Sequence, residues 1–155
     1  MQPHQDPGIY TLVLCLGQYR KVQVGLLGVI DFAAGFYSYT GSARGPGGLK
    51  RVDRHLSILQ GKRSTKRWHI DYLLPHTSFC EVFITRTTQD LECQIAGSIG
   101  ESLTAVKGFG CTDCGCASHL HYSRDLSRMQ RAVGSAHRSA VRCASTHEID
   151  SCHTK

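Results

Sequence analysis

No stretch of this chain approaches the ~18 consecutive apolar residues that a membrane helix requires, so no transmembrane segment and no membrane partner are expected. Residues 1–30 also lack the basic start, apolar run and small-residue cleavage site of an export signal. A soluble, cytoplasmic protein is the resulting expectation. Without export there is little reason for disulfides, so the eight cysteines are expected to be reduced thiols or metal ligands. Acidic residues are scarce, 12 Asp and Glu against 18 Lys and Arg, which leaves a formal net charge of +6 and a pI near 9.0. Such a balance favours polyanionic partners through counterion release, although many proteins that bind no nucleic acid share it. No element reads as a base-specific recognition helix, so any nucleic acid would be met through its backbone and shape.

What is present suffices for one domain: 155 residues, 41% of them hydrophobic, can bury a core. Residues 1–7, with two prolines, read as a loose lead-in. Residues 9–16 form a nearly continuous apolar run, as in a strand buried on both faces, with Tyr10 near its start. Residues 22–30 alternate and predict a second strand, joined to the first by a hairpin through residues 17–20, and residues 35–41 predict a third. These three would pair as a small antiparallel sheet flanked by helices, an α+β fold.

After the third strand, Gly45-Pro46-Gly47-Gly48 makes a turn, and a basic helix over residues 48–60 follows. Leu49, Val52, Leu56 and Leu59 form its apolar stripe, and Lys50, Arg51, Arg54 and His55 lie off it. A glycine turn feeding a cationic helix suits a phosphate-bearing partner; the plainer reading is a surface turn before a helix with a solvated basic face. Residues 61–66 predict an exposed basic loop, and residues 68–74 a short helix ending at Pro75. Its His69 and Asp71 either line a cleft with the basic helix or hydrogen-bond to hold Trp68 and Tyr72 in place.

Residues 80–86 predict a further strand. Thr87 and Asp90 have the spacing of a capping box that opens a helix with Leu91, Ile95, Ile99 and Leu103 on one face. Glu92 beside that face is either a helix-start carboxylate favoured by the dipole or a metal ligand. Cys111, Cys114, Cys116 and His119 then form an irregular Cys-rich loop that offers a Cys3His zinc set, tighter in spacing than a zinc ribbon; the alternative is a turn carrying thiols. Residues 123–155 hold six Ser, five Arg and few large apolar groups, which predicts a polar basic tail, weakly helical along Leu126, Met129, Val133 and Ala136 and disordered over its last fifteen residues.

Gly8-Ile9-Tyr10 opens the first strand, and Tyr39-Thr40-Gly41 closes a later one. In order with them stand Gly-Ser-Ala-Arg-Gly-Pro-Gly-Gly-Leu at 41–49, Arg54-His55-Leu56, Trp68-His69-Ile70-Asp71-Tyr72-Leu73, Glu92-Cys93, Gly108-Phe109-Gly110, Asp113-Cys114, Cys116 and Ser118-His119-Leu120. This ordered set resembles the GIY-YIG nuclease superfamily, and within it the small bacterial and archaeal group of unknown function that is sometimes fused to endonuclease III-type repair enzymes. The resemblance covers about residues 8–122. It departs from the usual pattern in reading Tyr-Thr-Gly for Tyr-Ile-Gly, in a longer path from Gly41 to Arg51, and in carrying Cys93 where an asparagine usually follows the glutamate.

The resemblance implies a metal-dependent DNA endonuclease of repair or recombination, with DNA and a repair protein as partners. It assigns Tyr10, with Tyr39 sharing the role, to the attacking water, Arg51 to the scissile phosphate and Glu92 to one magnesium or manganese ion. His55 would assist proton transfer, and Arg44, Arg54 and His69 would hold substrate, with Arg44 or Arg54 as stand-ins should Arg51 be displaced by the longer turn. A phenol titrates near ~10, so Tyr10 would act as a base only if cations stabilise its phenolate. The alternative is a nucleic-acid-binding or zinc-stabilised interaction module that does not cleave.

Overall fold

The computed structural model describes residues 5–111 and 115–152. Its elements run β1 (Gly8–Leu16), β2 (Arg20–Gln23), β3 (Val29–Phe32), β4 (Gly35–Ser42), α1 (Lys50–Leu59), α2 (His69–Leu73), β5 (Ser78–Arg86), α3 (Glu92–Gly100), β6 (Thr104–Ala105), β7 (Leu120–Ser123) and α4 (Leu126–Cys152). The fold is α+β. Strand β1 is buried along nearly all its length because it has a neighbour on each edge and helices over each face, hence its unbroken apolar sequence.

The sheet has five strands in the order β5-β1-β4-β7-β6, antiparallel throughout, not three. Residues 22–30 do not form one strand beside β1. A 3-10 turn at Gly25–Leu27, with positive φ at Gly25 and Gly28, divides them, and β2 pairs with β3 as a separate two-stranded ribbon. Glycine tolerates that backbone, so the alternating pattern around it is interrupted. Strands β6 and β7 flank the Cys-rich loop where the sequence predicts no strand, since elements of two and four residues are too short to show a period.

Alternation along β1 divides the interior. Tyr10, Leu12, Leu14 and Leu16 pack with α1, α2 and Phe109, whereas Ile9 and Val13 pack with α3 and α4. The predicted capping box is not the start of α3. Thr87 accepts from the Gln89 N–H in a local turn, and the helix opens at Glu92, with Leu91, Ile95, Ile99 and Leu103 buried as the spacing predicts.

Two terminal expectations are corrected. Residues 5–7 are not loose: Leu49 donates to the Asp6 carbonyl at 2.9 Å, and Thr87 to that of Pro7 at 3.2 Å. Residues 123–142 are not a tail either. Met129, Val133, Ala136 and Ala140 are fully buried against α3 and the sheet, and α4 continues to Cys152. Small alanines supply little apolar bulk to the sequence but allow a helix to approach a sheet closely, which is why composition understates this packing.

Helix α4 is also tied to the sheet by a buried polar chain. His137 Nε2 lies 2.8 Å from the Thr11 hydroxyl and Nδ1 2.8 Å from that of Thr85, while Thr11 meets Thr40 at 3.0 Å. Burial pushes His137 down to about 4 from the ordinary 6.5. The unfolded chain therefore takes up a proton between these values that the folded chain refuses, so this contribution to stability is complete above about 6.5 and declines toward about 4. Urea midpoints at pH 7 and 4.5 should show that loss, and it should shrink in His137→Asn measured over the same interval. An equal loss in the variant would place the acid sensitivity elsewhere.

Candidate active site

The antiparallel register sets Gly41 on β4 directly opposite Tyr10 on β1. A Cβ at Gly41 would fall on the Tyr10 hydroxyl and lie 2.6 Å from Cζ. The glycine is therefore a steric requirement of the tyrosine across the ladder. The phenol continues over Gly41 toward α1, where its oxygen lies 2.7 Å from His55 Nε2. Both side chains are buried, so His55 is not a solvated member of the basic face. Burial lowers His55 to about 4, and the nearby Asp71 carboxylate only partly offsets this. Among the described residues its Nδ1 has no hydrogen-bond partner. Burial and the neighbouring Tyr39 raise the Tyr10 phenol well above its ordinary value, against the opposing pull of Arg51 and Arg54. Tyr39 is raised as well, by burial and then by Glu92 and Asp71.

These groups open into a cleft of about 410 Å³ that Tyr10, Tyr39, Arg44, Arg51, His69 and Glu92 all line. Arg51 reaches it from α1, donating through Nη1 to the Ser42 carbonyl at 2.5 Å with its guanidinium 4.9 Å from the centre of the Trp68 ring. Arg44 donates to the Thr88 carbonyl at 3.0 Å and pairs with Asp90 at 3.3 Å on the exposed rim. His69 accepts from the Gly110 N–H at 2.9 Å. That bond fixes the Gly108-Phe109-Gly110 segment, whose Phe109 is buried beneath the cleft against Tyr39 and His69.

Arg54 is not among the cleft residues. Its guanidinium forms a bidentate pair with buried Asp71 at 2.8 and 3.1 Å. Asp71 also accepts from the backbone N–H groups of Arg67 and Trp68 at 2.8 and 2.9 Å. Burial pushes this carboxyl up, but Arg54 and the two N–H groups outweigh it and hold it below its ordinary value. Of the two readings of Asp71, the one that fixes Trp68 fits. Arg54 is bound into the wall of this cleft and also lines a neighbouring depression.

The glycine turn has a different neighbour from the one its sequence suggests. At Gly48, with φ of +53°, a Cβ would strike the backbone carbonyls of Gln5 and Asp6, so the close approach belongs to the chain's own N-terminal segment. Beside the turn lies a second depression lined by Lys50, Arg51, Arg54, Arg63, Arg67 and Trp68, together with the carboxylate of Asp53. Arg51, Arg67 and Trp68 also line the first cleft, so the two adjoin. The sequence reading did not single out Arg67 or Arg63; its one clue was the run of basic residues in the 61–66 loop.

At the opposite wall, Glu92 opens α3 and its Oε1 lies 2.7 Å from His119 Nδ1. His119 Nε2 faces Cys93 Sγ at 3.9 Å, and Cys93, Cys116 and His119 bring their ligand atoms within 4.8 Å of one another. The predicted Cys3His set is thus altered. Cys116 and His119 are gathered, Cys93 joins them from α3, Cys111 donates to the Phe109 carbonyl instead, and Cys114 lies outside the described residues. This cluster could bind a metal.

The family model for the domain of unknown function DUF123 matches residues 9–142. The chain belongs to the DUF123 family. The DUF123 match runs past residue 122 into α4, taking in the Met129, Val133 and Ala136 face that packs on the sheet. No curated protein and no solved structure matches the chain.

Two substitutions test this geometry. Gly41→Ala should cost about 1–3 kcal/mol in urea unfolding through overpacking, because its methyl group competes with the Tyr10 hydroxyl. Arg54→Ala should cost about 3 kcal/mol by stranding the Asp71 carboxylate. Unchanged stability with weakened nucleic-acid binding would return Arg54 to the substrate.

Proposed function

We propose that the cleft hydrolyses phosphodiester bonds in DNA, in the manner of the GIY-YIG endonucleases that the sequence resembles, and serves repair or recombination. The observation that carries this reading is the convergence of Tyr10, Tyr39, Arg51 and Glu92 from four separate elements at one cleft, with His55 buried behind Tyr10 and bonded to its hydroxyl. Basic side chains continue from it into the adjoining depression, a path for a strand's phosphates.

The protonation states favour one route. Burial keeps Tyr10 protonated, so it does not wait as a phenolate. Instead the attacking water gives its proton to the Tyr10 oxygen as the phenolic proton passes to neutral His55 Nε2. With no partner on Nδ1 among the described residues, the ring's tautomer is not locked from that side. Water oxygen bonds to phosphorus, the P–O bond to the leaving group breaks, the departing oxygen takes a proton from solvent, and His55 returns its proton to solvent through Tyr10. Arg51 supplies a planar fork for the equatorial oxygens, which lysine would not reproduce.

Glu92 is a partly exposed carboxylate on the cleft wall, and a single carboxylate with substrate oxygens fits the hard-ligand chemistry of magnesium or manganese. When bound there, such an ion would supply Lewis-acid charge neutralisation. The contact of Glu92 with His119 favours the rival reading, a module that binds DNA without cutting it.

Labelled nicked, flapped, branched and abasic DNAs with magnesium or manganese separate the two. Wild type should cut. Tyr10→Phe should slow cleavage roughly 100- to 10,000-fold, Arg51→Lys should slow it markedly, and Glu92→Gln should abolish the metal-dependent part, with DNA binding retained. Since burial holds His55 near 4, its protonation should cause no loss of rate between pH 7 and 5. Binding without cleavage by wild type would leave the binding module, and cleavage that survives both Tyr10→Phe and Glu92→Gln would overturn the assignment.

A further inference from the structure

We infer that Cys93, Cys116 and His119 form a zinc site in which Glu92 holds the imidazole in place. Two thiolates and an imidazole are a donor set that selects zinc over magnesium. Tetrahedral zinc with ordinary Zn–S and Zn–N lengths sets a sulfur and a nitrogen ligand about 3.6 Å apart. Cys93 Sγ and His119 Nε2 stand at 3.9 Å without an ion, and the Cys116 sulfur completes a triangle within 4.8 Å. The Cys93–His119 edge needs about 0.3 Å of closure and the Cys116 edges at most about 1.2 Å to reach these lengths.

The surroundings fit a ligand histidine. His119 is buried, and its other nitrogen, Nδ1, meets Glu92 at 2.7 Å. A carboxylate on the far nitrogen of a metal-bound imidazole fixes the tautomer and strengthens the ligand. Cys93 lies in the first turn of α3, where the helix dipole favours a thiolate. The main chain around His119 is also held. Its N–H donates to the Phe109 carbonyl at 2.8 Å, its carbonyl accepts from the Thr40 N–H at 3.0 Å, and Gly110 passes so close that a Cβ there would lie 3.1 Å from His119 Cβ.

Cys93 and His119 both line the cleft, so the site stands in its wall. The ion joins α3 to the segment that carries Cys116 and His119, and thereby sets the wall that presents Glu92. Nothing in this site depends on phosphodiester cleavage, so its test is independent of nuclease activity.

Full-length protein, reduced and stripped with chelator, is titrated with cobalt and then zinc. The expected result is one cobalt per chain with thiolate charge-transfer absorption and tetrahedral ligand-field bands, displaced by zinc, and a rise in melting temperature with either ion. Cys93→Ser and Cys116→Ser should each remove the thiolate spectrum at the same cobalt concentration, while Cys15→Ser and Cys80→Ser should retain it. Glu92→Ala should keep the spectrum but weaken affinity roughly 10- to 100-fold. Failure of the reduced wild type to take up cobalt, or a spectrum unaffected by both Cys93→Ser and Cys116→Ser, would overturn the site. Cleavage without cobalt uptake would reject the zinc site and keep the nuclease; uptake without cleavage would do the reverse.

Discussion

The hydrogen bond between Tyr10 and His55 joins the central strand to the first helix, and much of the cleft follows from it. A buried phenol without a partner costs on the order of 1–3 kcal/mol, and the partner here comes from α1. The bond fixes the separation of β1 and α1, and with it the direction in which Arg51, one helical turn earlier, enters the cleft. It also requires an uncluttered β4, since the phenol must cross above Gly41 to reach the imidazole. Burial then decides the charges: the phenol stays protonated and the imidazole neutral. The two therefore form a neutral hydrogen-bonded pair rather than an ion pair.

Around this neutral pair the positive charge is divided by its partners. Arg51, Arg54 and Arg67 all approach the Trp68 ring, at 4.9, 4.1 and 5.2 Å from its centre. Asp71 binds one of them, Arg54, and through the Trp68 N–H also sets the indole on which the others rest. A fully neutralised cluster would hold no attraction for phosphate, and a fully unpaired one would repel itself. One buried carboxylate among three guanidinium groups leaves a net positive wall with fixed geometry.

How much of this the sequence disclosed depended on the range of each interaction. The β1 run, the α1 stripe and the Leu91 to Leu103 face were legible because each is a local period imposed by burial on one element. The position of residues 22–30 was not, because strand pairing is decided by partners far away in the chain, and β5, not this segment, offers β1 its second edge. Arg44, Arg51, His69 and Glu92 line one cleft, a grouping suggested by the resemblance and not by any local pattern. Arg54 and the glycine turn each have a close neighbour that the sequence did not disclose. A guanidinium and a positive-φ glycine signal that something will come close, and in each case it was the chain itself, Asp71 in one and the Gln5 and Asp6 carbonyls in the other. Cys93 was read only as a departure from a pattern, since its distance from Cys116 in sequence conceals their proximity in space.

Glu92 stands where two kinds of chemistry meet. Facing the cleft it is a hard oxygen donor, suited to an ion that carries waters and phosphate oxygens; toward His119 it is an anion 2.7 Å from Nδ1, close enough to bias the imidazole's orientation. A carboxylate has two oxygens and about four lone-pair directions, so the roles are compatible. Compatibility has a consequence for charge, however. Zinc on the two thiolates and the imidazole would carry no net charge in its first shell, and so would hold His119 in place without repelling a second cation at Glu92. A protonated His119, by contrast, would neutralise Glu92 and weaken it as a ligand. The soft cluster, on this argument, is what would keep the hard site available.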